Sequence, residues 1–313
     1  MKQPTLLLIF LFFSSFFVAC SSNGLITTYT IEDWNDLEYL STRLGSQETP
    51  LNGHYKLVAD IEGPDFSENA SGFFPIGTKS FPFQGTFDGN GFTISNLVIN
   101  RIRQENIGLF GVTKNATLTN VKLKKVTIRG NKNVGGLIGN IQDNTSVFNS
   151  SVSIGEQGTI IGGENSGGLI GLIEGSATIE NSSVDGVVSG ILSTGGLIGK
   201  MSNATSTIER SYFAGGVTSK DLDLYLFTNW KLASAESTGG LIGYVDSTTL
   251  RISNSSISSN SAVTGESAVG GFIGSINGSD VIISGSPLSD DVITDGDQLN
   301  RMIGESSVGV TII

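Results

Sequence analysis

The hydrophobic positions of this chain fall in short recurring phrases. A Gly-Gly-apolar-Ile-Gly core occurs at 135–139, 167–171, 195–199, 239–243 and 270–274, with a degenerate copy, Ile107-Gly108-Leu109-Phe110-Gly111. Phe74-Pro75-Ile76-Gly77 reads as a further, N-terminal copy. Between the cores, runs such as Ala177-Thr178-Ile179-Glu180 and Thr207-Ile208-Glu209 alternate apolar with polar, the period of a half-buried strand. No repeat contains a ten-residue helical pattern, so each unit is two or three short strands joined by turns.

The closing glycines Gly111, Gly139, Gly171, Gly199, Gly243 and Gly274 are separated by steps of 28, 32, 28, 44 and 31 residues. A second phrase keeps pace with the first. Asn149-Ser150-Ser151, Asn181-Ser182-Ser183, Arg210-Ser211-Tyr212 and Asn254-Ser255-Ser256 follow their closing glycines by 10, 10, 11 and 11 residues. A strand-only unit of this size cannot enclose a core alone and must stack on its neighbours. The expected fold is therefore all-β, a parallel β-solenoid of about seven coils with small helical caps at both ends. Stacking predicts one apolar column from Leu137, Leu169, Leu197, Leu241 and Phe272, and another from Ile141, Ile173, Met201, Val245 and Ile276. The core glycines are expected to allow positive φ and close backbone approach, and the Asn of each Asn-Ser-Ser a left-handed bend with an amide bond to the next coil. The row Ile138, Ile170, Ile198, Ile242 and Ile273 would face away from the Leu column in a regular strand. A bend at the following Gly would turn it inward; otherwise it forms an external stripe needing a cover.

At the N-terminal end Thr30-Ile31-Glu32-Asp33 resembles a capping box, followed by Trp34, Leu37, Leu40 and Leu44 on one helical face. The segment 55–61 reads as the first strand. At the other end Thr294-Asp295-Gly296-Asp297 before Leu299, Met302 and Ile303 predicts a short plugging helix ahead of an apolar tail.

Composition agrees with this reading. Glycine fills 42 positions, nearly double its usual share of about 7%, and charged residues are 15% against a typical value of about 25%. Cys20 and His54 are the only residues of their kinds. Disulfides within the chain are thus excluded, and thiolate or imidazole zinc cages and two-histidine metalloprotease helices are disfavoured. The net charge of −11 argues against nucleic acid as a partner. Residues 1–20 combine Lys2 with an apolar stretch over 6–18, too short for a stable span, and read as a signal peptide. Its end, Phe17-Val18-Ala19-Cys20, resembles the bacterial lipobox, with Phe17 where Leu is commoner. That resemblance implies lipid on Cys20, a membrane as partner and, with Ser21 next, an outer surface. The alternative is an ordinary secretory peptide cleaved after Ala19, leaving a free thiol. The organisation expected is a signal peptide over 1–19, a tether over 20–29, an N-terminal cap and first strand over 30–65, a solenoid over 66–290 with an insertion at 220–236, and a C-terminal cap over 291–313.

The repeated Val134-Gly135-Gly136-Leu137-Ile138-Gly139 phrase resembles the GLUG motif, and the run from Phe83 through Asp88-Gly89-Asn90-Gly91 to Leu97 is similar to the lead-in that precedes such repeats. The resemblance covers roughly residues 50–285 and implies a bacterial surface scaffold of adhesin type. GLUG repeats also occur in non-catalytic regions of some immunoglobulin A peptidases, whose zinc helix needs two histidines.

No residue stands out as catalytic, cofactor-binding or metal-ligating. His54 lies in a turn leading to a strand. The run 195–200, GGLIGK, lacks the spacing and the Ser/Thr of a phosphate loop. Asp88 with Asn90, and Asp290, Asp291, Asp295 and Asp297, offer oxygens without calcium-loop spacing and read as turns or caps. Eight Asn-x-Ser/Thr triplets reflect turn composition. The insertion KDLDLYLFTNWKLASAE concentrates Tyr225, Phe227 and Trp230 beside charged residues; these three are the candidate ligand contact, unless their rings fold onto the solenoid wall. The leading expectation is a lipid-anchored, non-catalytic adhesin or binding scaffold for a host protein or glycan. A structural envelope component and, further off, a polysaccharide-active enzyme are the alternatives.

Overall fold

A computed structural model describes residues 27–66, 70–219, 237–265, 267–287, 293–295, 302–306 and 310–313. The chain winds as a three-sided parallel β-solenoid. Sheet 1 has ten strands, from Thr28–Ile31 to Val310–Ile312; sheet 2, the broadest wall, has 16; sheet 3 has seven, from Phe110–Thr113 to Ile303–Ser306, one for each full turn. Nine steps of about 4.8 Å make sheet 1 roughly 43 Å long.

Strand pairing between coils is parallel and keeps like with like. In sheet 1 one column runs Tyr29, Tyr55, Phe87, Leu118, Val147, Ile179, Ile208, Ile252, Ile283 and Ile312 through successive partners. In sheet 3 the expected column Ile141, Ile173, Met201, Val245 and Ile276 is in register and buried. The Leu column is also present, its backbone passing N–H to C=O from Leu137 through Leu169, Leu197 and Leu241 to Phe272.

The isoleucine row turns inward, and the hydrogen bonds explain how. The N–H groups of both Leu137 and Ile138 donate to the carbonyl of Leu169, at 3.0 Å each; Leu169 and Ile170 share Leu197, and Leu197 and Ile198 share Leu241. Two consecutive N–H groups aimed at one acceptor break the alternation of a strand. Both side chains then enter the core, where Leu197 and Ile198 are each 0% exposed. Each buried side chain of this size contributes about 1.5–3 kcal/mol.

The core glycines serve the same corner by close approach alone. None of those at 136, 139, 168, 171, 196, 199, 240 or 243 has positive φ, which corrects half of the expectation for them. A Cβ on Gly136 would strike the Gly168 carbonyl oxygen, one on Gly168 that of Gly196, and one on Gly196 that of Gly240. The left-handed bends belong to other residues: Asn149, Asn181, Arg210 and Asn254 have φ of 50°, 49°, 47° and 49°. As expected, Asn181 Nδ2 donates to Asn149 Oδ1 (3.2 Å). Arg210 takes the Asn place in its coil and donates to Asn181 Oδ1 (2.9 Å).

Two corrections concern the ends. The helix exists as Trp34–Arg43, but its N-cap is Asp33, whose carboxylate accepts from the Asp36 N–H (3.0 Å) while Asp36 accepts from the Glu32 N–H (2.9 Å). Thr30 instead lies in the first strand, Thr28–Ile31, so the segment 55–61 follows that strand and divides into His54–Leu57 and Ile61–Glu62. Parallel pairing with His54–Leu57 outweighs the local capping signal. At the C-terminal end the described residues of the expected helix are strands: Ile293–Asp295 extends sheet 2, Ile303–Ser306 extends sheet 3, and Val310–Ile312 adds to sheet 1. Leu299 lies outside the described residues, and the one described helix is the N-terminal one.

Candidate functional site

With the apolar columns buried, function falls to the outer walls and to whatever leaves them. The outward positions repeat from rung to rung as the inward ones do. On sheet 1, Thr28 heads the column His54, Thr86, Thr117, Ser146, Thr178, Thr207 and Arg251. On sheet 2, Thr93, Lys122, Ser151, Ser183, Tyr212 and Ser256 form another. These walls are rich in hydroxyls set one strand spacing apart.

The corners are closed to ligands by bonds between coils. Buried serines make a ladder that the reading of the Asn-Ser-Ser phrase missed: Ser150 N–H donates to Ser182 Oγ (3.3 Å), Ser182 N–H to Ser211 Oγ (3.2 Å), Ser211 N–H to Ser255 Oγ (3.2 Å) and Ser255 N–H to Ser286 Oγ (3.0 Å). Each hydroxyl donates in turn to the carbonyl two residues before it, as Ser182 does to Glu180 (3.0 Å). A second asparagine ladder is buried beside the Gly corner, with Asn165 Nδ2 bonded to Asn133 Oδ1 and Asn133 Nδ2 to Asn106 Oδ1, both at 2.8 Å.

His54 is half-buried in its strand with Nδ1 2.8 Å from Thr86 Oγ1, a rung contact. GGLIGK is one rung of the solenoid, its Lys200 ammonium standing 5.1 Å from the Tyr244 ring centroid. Asp88 Oδ1 accepts from the Asn90 N–H (2.7 Å) and from Asn120 Nδ2 (2.9 Å), locking a turn and the next coil. Asp295 is in a strand; Asp290, Asp291 and Asp297 lie outside the described residues, as do Cys20 and the insertion 220–236 with Tyr225, Phe227 and Trp230. The described residues on either side of the insertion are bonded to each other. The wall strand Tyr212–Ser219 precedes it, Ser237–Gly239 follows it, and Thr238 Oγ1 donates to Ser219 Oγ (2.6 Å) between them. Among the described residues no three His, Cys, Asp or Glu are grouped to hold a metal ion, and no helix is long and apolar enough to cross a membrane.

The feature that composition concealed is a concentration of charge. Residues 101–132 hold eight of the 18 Lys and Arg and one acid, Glu105, a net of +7 in a chain of −11. Seven of the eight, Arg101, Arg103, Lys122, Lys124, Lys125, Arg129 and Lys132, fall on the sheet 2 side of two successive coils. A windowed charge count along the sequence reveals them; their gathering on one wall requires the fold.

No family model matches the chain. Two relatives share part of it: halomucin of Haloquadratum walsbyi, 32% identical over 42% of this chain and 2% of that protein, and a protein provisionally described as Gly-rich and membrane-type from Evansella cellulosilytica, 35% identical over 38% of this chain and 14% of that protein. The chain thus spans a small fraction of the length of these relatives. Among solved structures, a Bacteroides ovatus protein provisionally assigned as an immunoglobulin A1 protease superposes with a TM-score of 0.60 at 18% identity, over 91% of this chain and 84% of that one. At that identity the likeness concerns the fold.

Proposed function

We propose that this chain is a surface-exposed, non-catalytic binding scaffold of adhesin type, built of GLUG-like repeats and held to a membrane by lipid on Cys20. The observation that carries the reading is the outer surface: walls of Ser, Thr and Asn repeated rung after rung on a rigid parallel solenoid, a geometry suited to an extended ligand. The names of the relatives, a mucin-like one and a membrane one, point to the same location. The insertion 220–236 contributes an aromatic contact through Tyr225, Phe227 and Trp230.

Two measurements test this. Metabolic labelling with a radioactive fatty acid is expected to mark the wild type and not Cys20→Ser, and protease added to intact cells should shave the protein. An array of glycans and host surface proteins, probed with the chain from residue 21, should give binding that weakens when 220–236 is deleted. Absence of both label and surface cleavage would remove the anchored, exposed reading. Surface exposure with no binding on the array would favour a structural envelope component.

A further inference from the structure

The sheet 2 wall carries a belt of cations whose nearby carboxylates, Glu105 and Glu164, both lie at one edge of it, on the rungs either side of Lys132. Lys122 and Lys124 flank buried Leu123 in one strand and face outward, about 6.6 Å apart by strand geometry. Lys125 follows in a left-handed bend (φ 54°), exposed, and Arg129 stands on the next strand of the same coil. Arg101, one coil earlier, donates to the carbonyls of Phe73 (3.2 Å) and Gly72 (3.4 Å) and lies 4.8 Å from the Phe74 ring centroid; Arg103 beside it is exposed. Of the ion pairs among the described residues, the one here is Lys132 with Glu164 (3.1 Å), at the belt's edge. In the Lys124 column the acids Glu62 and Asp185 each lie two rungs away, separated from it by Ser95 and Ser153. Arg129 Nε and Asn131 Oδ1 are buried atoms with no hydrogen-bond partner.

The rungs beside the belt indicate what it takes. Thr93, Ser95 and Asn100 border it on one side, and Ser151, Ser153 and, beside Arg129, Ile161 on the other, all partly exposed. Hydroxyls and amides flanking a row of ammonium groups match a ligand that carries both hydroxyls and anions. No aromatic side chain stands on these flanking rungs to stack a nucleobase, the usual platform for single strands; the one exposed ring at the belt, Phe74, is faced by the Arg101 guanidinium. The rest of the chain, net −18, repels a long polyanion that strays from the belt.

We infer that the belt Lys122, Lys124, Lys125 and Arg129, with Arg101 and Arg103, is a binding site for an acidic polysaccharide, one bearing uronate or sulfate groups. The inference rests on the binding-scaffold reading above and names the ligand class and wall for it.

Purified protein from residue 21, free of any membrane, is titrated with polygalacturonate, chondroitin sulfate, neutral dextran, a single-stranded oligonucleotide and phosphatidylglycerol vesicles at low and physiological salt. At least one acidic glycan is expected to bind with affinity falling as salt rises, and dextran not at all. The variant Lys122→Gln/Lys124→Gln/Lys125→Asn, in which Asn preserves the left-handed bend, should lose at least tenfold in affinity. Lys200→Gln, on another wall, should lose none. Circular dichroism confirms the fold of each, and Lys124→Gln alone, expected to lose severalfold, replaces the triple variant should that one unfold. No binding of either acidic glycan, binding unchanged in the belt variants, or tighter belt-dependent binding of the oligonucleotide or the vesicles would each overturn the assignment. Because no membrane or cell is involved, failure of surface localisation leaves this result standing, and failure here leaves the anchored scaffold standing.

Discussion

Replacing Ser182 by alanine isolates what the serine ladder contributes. Ser182 is 0% exposed, its Oγ accepts from the Ser150 N–H at 3.3 Å, and it donates to the Glu180 carbonyl at 3.0 Å. The alanine leaves the Glu180 carbonyl satisfied, because the Asn149 N–H also donates to it (3.0 Å). It leaves the Ser150 N–H buried with no acceptor. An orphaned buried donor costs about 1–3 kcal/mol, and the length of the lost bond puts Ser182→Ala in the lower half of that range. Ser183, the next residue, is half-buried on the outward face, and Ser183→Ala should stay within about 0.5 kcal/mol, as surface changes do. Urea denaturation followed by far-UV circular dichroism measures both, and hydrogen exchange at the Ser150 amide should accelerate in Ser182→Ala alone. Equal midpoints for the two variants, with Ser150 exchange unchanged, would refute the ladder as a source of stability.

Three further outcomes are expected. Gly196→Ala, whose Cβ would strike the Gly240 carbonyl and the Phe213 ring, should cost about 1–3 kcal/mol or more, whereas Gly216→Ala meets only Val187 methyls at 3.7 and 3.9 Å and should be nearly neutral in the same urea assay. Ile198→Ala should cost about 2–5 kcal/mol, the penalty of a cavity in a core; a value near zero would mean the row is not buried. Burial holds the Tyr55 phenol protonated well above its ordinary range, its hydroxyl donating to the Pro50 carbonyl (2.8 Å). The native state therefore keeps a proton that the unfolded chain releases near pH 10, so stability is full below that pH and falls as pH rises above it. Tyr55→Phe should flatten the alkaline limb of thermal melts taken from pH 8 to 11, and an unchanged limb would assign it elsewhere.

Legibility varied by feature. The period of the Gly-Gly-Leu-Ile-Gly phrase made the stack and two of its columns readable, because identical residues at a fixed interval have one economical arrangement. The Asn181–Asn149 bond was readable for the same reason. The middle serines were not, since a polar residue in a turn looks alike in sequence whether its hydroxyl meets water or the next coil's N–H. The cap signal at Thr30 misled because a local motif competes with strand pairing formed by residues about twenty-five positions away.

The repeat by itself determined that this protein is a parallel stack, since a strand-only unit must borrow its core from identical neighbours. Tertiary structure decided which way each residue faces at the corners. Paired N–H groups on one carbonyl turn Leu197 and Ile198 inward together, and only coil-to-coil register gathers cations from 101–132 onto one wall. Periodicity sets how often a residue returns to a face. Hydrogen-bond geometry at the bends selects the face.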